Sequence, residues 1–220
     1  GFNGDNLDFL EDFPNVTRLQ CKSDKVKNIK GINALKSLEI LYLEFNNADL
    51  KPLSGLKTIK EFAGPLDNLP FVTNNKQIQR LWLRTGMGGI LERLERGDSV
   101  PVLDFSLLKS FPDLEQFSFD WNSVYQSKDF EVLVDFDKLK VIHIHQEIPD
   151  SLSDQTLEEI RTLLPNVSVK IIEKFWASPM NLRTHISRSN RYRELGMFDE
   201  SILELEEIEG EDRWHPLVVE

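Results

Sequence analysis

The sequence predicts an α/β fold: an open solenoid of six or seven short turns, each giving one strand of a parallel sheet and one short 3-10 or irregular arm, followed by a helical tail. Three observations carry that expectation. A six-residue pattern recurs six times: an aliphatic residue, two spacers, a large apolar residue, one spacer and another apolar residue. Its starts, at residues 16, 38, 59 and 78, are separated by 22, 21 and 19 residues, and further copies start at 114 and 139. Three residues before most starts lies one more large apolar residue: Phe13, Leu35, Leu56, Phe111, Phe136 and later Leu164, with Asn75 breaking the rule.

The strands come first. The copies are Val16, Leu19 and Cys21; Leu38, Leu41 and Leu43; Ile59, Phe62 and Gly64; Ile78, Leu81 and Leu83; Leu114, Phe117 and Phe119; and Leu139, Ile142 and Ile144. The second closes with Asn46, and in that form it resembles the leucine-rich repeat, L-x-x-L-x-L-x-x-N. The resemblance implies a curved solenoid with parallel strands on the concave face, short arms on the convex face and a binding surface on the strands. The irregular repeat lengths resemble bacterial leucine-rich repeat proteins more than the even repeats of extracellular receptors. Cys21 holds an inward position and reads as a small buried hydrophobe, against a reactive thiol. Pro65 removes a ladder donor and predicts a local irregularity in the third strand.

The arms follow. Val26, Ile29, Ile32 and Leu35, then Leu50, Leu53 and Leu56, recur every three residues, the period of a 3-10 turn. The interval from 78 to 114 is too long for one repeat. Its surplus falls in an insertion at 85–99, where TGMGG gives a turn and ILERLERGDS a short charged helix, serving as a functional loop or a harmless elaboration. After the sixth strand, Leu157, Ile160, Leu163 and Leu164 have helical spacing with Ser153 placed as the cap. Pro165 stops that helix, and residues 167–173 alternate as a last strand.

Residues 1–177 thus form the solenoid, and 178–220 are of a different kind. The stretch NRYRELGMFDESILELEEI, with Tyr192, Leu195 and Gly196 closing one helix and Ser201, Leu205 and Ile208 on one face of the next, resembles a single tetratricopeptide helix pair. Such a unit cannot bury its apolar face alone. It caps the solenoid, pairs with another chain through self-association, or starts a longer array.

Composition narrows the function. A formal charge of −11 argues against nucleic acid or an anionic membrane as the main partner and suits a basic one. No apolar run approaches the roughly 20 residues of a membrane helix. The opening residues lack a secretory leader, and the single cysteine fits a reducing compartment, so a cytoplasmic protein is expected. No cofactor is expected. Gly86, Gly88 and Gly89 match neither a dinucleotide fingerprint nor a phosphate loop, and no G-x-S-x-G supports a catalytic serine.

Alternation in the strands gives the outward residues. The fourth strand carries Arg80, Trp82 and Arg84, the second Tyr42, the sixth His143 and His145, with Trp121 at the rim of the fifth. Tyr, Trp and Arg are the residue types of interface hot spots, so these residues are the expected contacts of a non-catalytic protein-binding module or scaffold. The competing expectation is that the insertion or the tail covers the rings. One concrete version is an inhibitor or immunity-type protein that neutralises a basic toxin or enzyme. The remaining alternative is a metal-dependent site at Asp120, His143 and His145, for which two imidazoles and a carboxylate would suit zinc or copper.

Overall fold

The computed structural model describes residues 5–23, 25–45, 48–85, 97, 99–146 and 151–173. The chain divides into two compact units, Gly1–Ile172 and Glu173–Glu220. Asn46, the insertion apart from Thr85, Gly97 and Ser99, and the whole tail expected at 178–220 lie outside the described residues.

The first unit is built on a seven-stranded parallel sheet in which the strands stand in sequence order. They are β1 (Arg18–Ser23), β2 (Ile40–Phe45), β3 (Glu61–Pro65), β4 (Arg80–Arg84), β5 (Gln116–Asp120), β6 (Val141–Gln146) and β7 (Ser168–Glu173). The register keeps repeat positions level: Leu41 pairs with Leu19 and Phe62, and Leu81 with Phe62 and Phe117. The inward residues at this level therefore meet their counterparts, and Leu38, Leu41, Phe62, Leu81, Phe117 and Ile142 are fully buried. Burying such a side chain stabilises the fold by roughly 1.5–3 kcal/mol each.

Between strands the chain runs in 3-10 turns, among them Lys30–Ala34, Lys51–Gly55, Phe105–Ser110 and Ser127–Leu133. The three-residue rule of the sequence has a hydrogen-bond origin. At the end of an arm the residue three before a repeat start donates its N–H to the carbonyl three residues back, and at Phe13, Asn75, Phe111 and Phe136 its own carbonyl accepts from the start. Phe111 N–H donates to Leu108 O at 2.9 Å, and Leu114 N–H to Phe111 O at 3.1 Å. Asn75 makes the same pair of bonds, with Val72 O and Ile78 N–H, and is buried although polar. Phe13 obeys the rule but is 54% exposed, because it belongs to the first turn and β1 pairs only with β2.

A second regularity was not read from the sequence. An Asn or Asp stands two residues before the first helical residue of several arms and accepts its N–H: Asn6 from Asp8, Asn28 from Lys30 and Asp49 from Lys51; Asp104, directly before its arm, accepts from the second helical residue, Ser106. These Asx turns satisfy donors that a short helix leaves free. Gly31 sits where one arm crosses the preceding one, and a Cβ there would lie 2.0 Å from the Leu7 carbonyl oxygen.

Two departures from the repeat are helical. A single α-helical turn, α1 (Leu69–Val72), lies between β3 and β4, and α2 (Asp154–Leu163) precedes β7. Ser153 caps α2 by accepting from Thr156 N–H at 3.1 Å, as its position predicts. Under β5, Phe105 packs against Phe119, Tyr125 and Phe130 at centroid distances of 5.6, 5.5 and 4.9 Å, and Phe117 stacks on Phe119 at 4.9 Å. Among the described residues, no helix is long and apolar enough to cross a membrane.

Candidate functional site

The face of the sheet opposite the core is built in level rows. The first runs Arg18, Ile40, Glu61, Arg80, Gln116 and Val141; the second runs Gln20, Tyr42, Ala63, Trp82, Ser118 and His143. In the second row a small residue stands between two large rings. Ala63, with Gly64 and Pro65 after it, floors a cleft of about 120 Å³ whose walls include Tyr42, Trp82, Lys22, Glu44 and Arg84. A second depression of about 250 Å³ adjoins it over Glu61, Ala63, Arg80, Gln116 and Ser118. Gly64 keeps the floor tight: a Cβ on it would lie 2.9 Å from the Phe62 ring beneath. Pro65 ends β3 still in register with Arg84, but pairing with β2 stops at Ala63 although β2 runs on to Phe45, the irregularity expected in this strand.

Both rings are half-buried and each carries a guanidinium. The Arg84 Cζ lies 4.4 Å from the Trp82 ring centroid, and the Arg18 Cζ lies 5.2 Å from that of Tyr42. Such contacts contribute about 0.5–1 kcal/mol at exposed sites and hold the planar groups in place. The Tyr42 hydroxyl donates to Glu61 Oε1, whose other oxygen takes Arg80 at 3.3 Å. Burial, then the Glu61 carboxylate, pushes the Tyr42 hydroxyl above its ordinary pKa. Lys22 pairs with Glu44 at 3.1 Å. The Trp82 indole N–H finds no hydrogen-bond partner among the described residues.

The face therefore brings Tyr42, Arg80, Trp82 and Arg84 together as the alternation predicts, and adds Arg18 and Glu61. Those two were legible as outward residues but not as partners of Tyr42. The contact between Arg18 and the Tyr42 ring is diagonal across two strands, which row-by-row reading overlooks.

Further along the sheet the sequence expectations fail in three places. Trp121 is not at an exposed rim. It is 3% exposed, stacks on Phe130, and donates its indole N–H to Ser151 O at 3.1 Å. The Trp121 N–H also bonds His145 O at 2.7 Å, so the chain stays extended past β5 and the alternation that buries Phe117 and Phe119 buries Trp121 as well. His145 is 6% exposed, its ring stacked on Trp82 at 5.6 Å and 18°. Asp120 is 4% exposed and accepts from both the N–H and the hydroxyl of Thr85, at 2.8 and 3.0 Å. The inward Cys21 is half-buried because β1 is an edge strand, and burial raises its thiol pKa.

His143 stays on the outer face, with its Nδ1 3.3 Å from both Gln116 Nε2 and Ser118 Oγ. Burial and the Lys170 charge lower its pKa. As for the metal alternative, His145 faces Asp120 in the register while His143 stands level with Ser118. Among the described residues, no three His, Cys, Asp or Glu side chains are gathered to hold a metal ion.

No protein-family description matches this chain, and no curated protein matches it as a relative.

Proposed function

We propose that the chain is a non-catalytic protein-binding module: a leucine-rich repeat solenoid that grips a partner protein with the concave, strand-bearing face. Strands in sequence order, repeat residues held level and 3-10 arms on the connecting side support the repeat reading. One observation carries the binding reading. Tyr42 and Trp82, each with an arginine over its ring, stand half-buried on either side of an open cleft on one sheet. Rigid aromatics and arginines around a desolvated pocket are what concentrate affinity in protein interfaces. A sheet fixes their spacing before binding, so little ordering entropy opposes association.

The test is affinity capture from the native cell extract by the wild type and by Tyr42→Ala/Trp82→Ala, with circular dichroism and a thermal melt on both proteins. A partner captured by the wild type and lost in a folded double variant is the expected result. A partner retained by the variant, or none captured at all, overturns the assignment of binding to this face.

A further inference from the structure

Although the chain is acidic overall, its candidate binding face is not. Strands β1–β4 present four cations there, Arg18, Lys22, Arg80 and Arg84, against two carboxylates, Glu44 and Glu61. Both carboxylates are engaged, Glu44 by Lys22 and Glu61 by Arg80 and the Tyr42 hydroxyl. Arg18 and Arg84 make no ion pair among the described residues. Their guanidinium carbons lie over aromatic rings, a contact that takes up no carboxylate and leaves N–H donors for a bidentate one.

The cleft has a definite width. Tyr42 and Trp82 are level with each other across Ala63, hence two strand spacings apart, or about 9.6 Å between backbones. The Trp82 ring already carries His145 and Arg84, so a side chain entering the cleft rests over the Ala63 methyl between the two rings without stacking on the indole. Arg18 and Arg84 stand at opposite corners, three strands and four residues apart in the register. That places their backbones roughly 20 Å apart on the diagonal, with the guanidinium groups folded inward over Tyr42 and Trp82.

We propose that this face takes an acidic, extended segment of a partner protein. A large side chain at its centre rests over Ala63 between Tyr42 and Trp82, and carboxylates on either side of it pair with Arg18 and Arg84. The proposal rests on the binding reading above and gives the partner its chemistry. It also reverses the expectation drawn from net charge, because a basic segment would meet four cations and find both exposed carboxylates occupied.

The test uses the full chain and a fluorescein-labelled probe peptide, Asp-Glu-Trp-Gly-Glu-Asp, followed by fluorescence anisotropy. Three comparison probes are the same peptide with Ala for Trp, the same peptide with Lys for every acid, and a single-stranded oligothymidylate. The wild type is expected to bind the acidic Trp peptide at least about ten-fold more tightly than each of the three, and more weakly as salt rises. Arg18→Glu with Arg84→Glu is expected to lower that affinity at least about ten-fold, and Ala63→Leu, which fills the slot, to lower it without changing the salt dependence. Both variants replace surface side chains, and a thermal melt confirms their folding. Preference for the Lys peptide, equal binding of the oligonucleotide, indifference to the arginine reversals, or no peptide binding overturns the proposal. A Lys peptide lost with Tyr42→Ala/Trp82→Ala would overturn the acidic chemistry alone and leave the face as a binding site. A partner from extract that ignores those rings overturns the binding reading itself.

Discussion

The outward rows of the sheet behave differently at its two ends, although register and alternation treat them alike. Across β2–β4 the second row reads Tyr42, Ala63 and Trp82, large, small and large, and leaves a cleft open to solvent. Across β5 and β6 the outward positions beyond the first row hold Ser118, Asp120, His143 and His145, of which only His143 is not fully buried. The Trp82 ring lies against His145, and Thr85 at the end of β4 turns both of its donors to Asp120. Alternation therefore decides the face of a side chain, and the size of its neighbours decides whether water reaches it. One end of the row is suited to recognition; the other is a polar seam closed by the protein itself.

Breaking the packed side of that comparison should have the largest effect. Phe119→Ala removes a ring that meets Phe105, Phe117, Tyr125 and Phe130, and should cost about 3–5 kcal/mol in urea unfolding followed by tryptophan fluorescence. Tyr42→Ala, at the open end, should cost under about 1 kcal/mol by the same measurement. Equal losses would erase the distinction.

The seam itself gives the next effect. Asp120→Ala leaves the Thr85 N–H and hydroxyl without that acceptor and should cost about 1–3 kcal/mol. Glu44→Ala, the removal of a solvent-facing ion-paired carboxylate from β2, should change stability by no more than about 0.5 kcal/mol. Chemical denaturation of the two variants side by side decides between a closed seam and an ordinary charged surface.

Asn75 sharpens the point from within the core. Its Oδ1 is buried without a hydrogen bond, and its Nδ2 donates to Val72 O only at 3.4 Å. Asn75→Leu restores the residue type found at that place in other repeats and should raise stability by up to about 1 kcal/mol in the same unfolding measurement.

The smallest effect concerns His143, the outward member of the seam that keeps some solvent. Its folded pKa lies below the ordinary value near 6.5, so the unfolded chain takes up the proton more readily. The contribution is present in full above about pH 6.5 and is lost as pH falls through the lowered folded value. His143→Gln should flatten the decline of stability between about pH 7 and 5.5 relative to the wild type, measured as thermal midpoints across that range. Parallel curves would show that His143 has no part in it.

The sheet was legible because its signals are local. Phe111 and Leu114 announce a 3-10 turn through their own spacing, and Leu38, Leu41 and Leu43 announce a buried strand face without knowledge of any neighbour. Ser153 and Ile160 announce α2 in the same way. Burial of Asp120 and His145 was not legible, since it arises from Thr85 and Trp82 on another strand. Trp121 was legible in principle: counting by twos from Phe117 reaches it, because the chain stays extended past the end of β5. The charge of the cleft was hidden by the net charge of the chain, which averages over residues far from β1–β4.

The sequence-ordered sheet also bears on how the chain assembles. Each strand bonds only to the strands made just before and just after it, so no pairing waits for the distant end of the chain. Contacts of such short sequence separation favour rapid folding. They also let the structure open piecemeal, starting where support is least. That place is β1, an edge strand with half-buried Leu19 and Cys21 and an exposed Phe13 beside it. Amide protons should thus exchange with solvent deuterium fastest at β1 and most slowly beneath the rings of β5, a graded clock written along a single sheet.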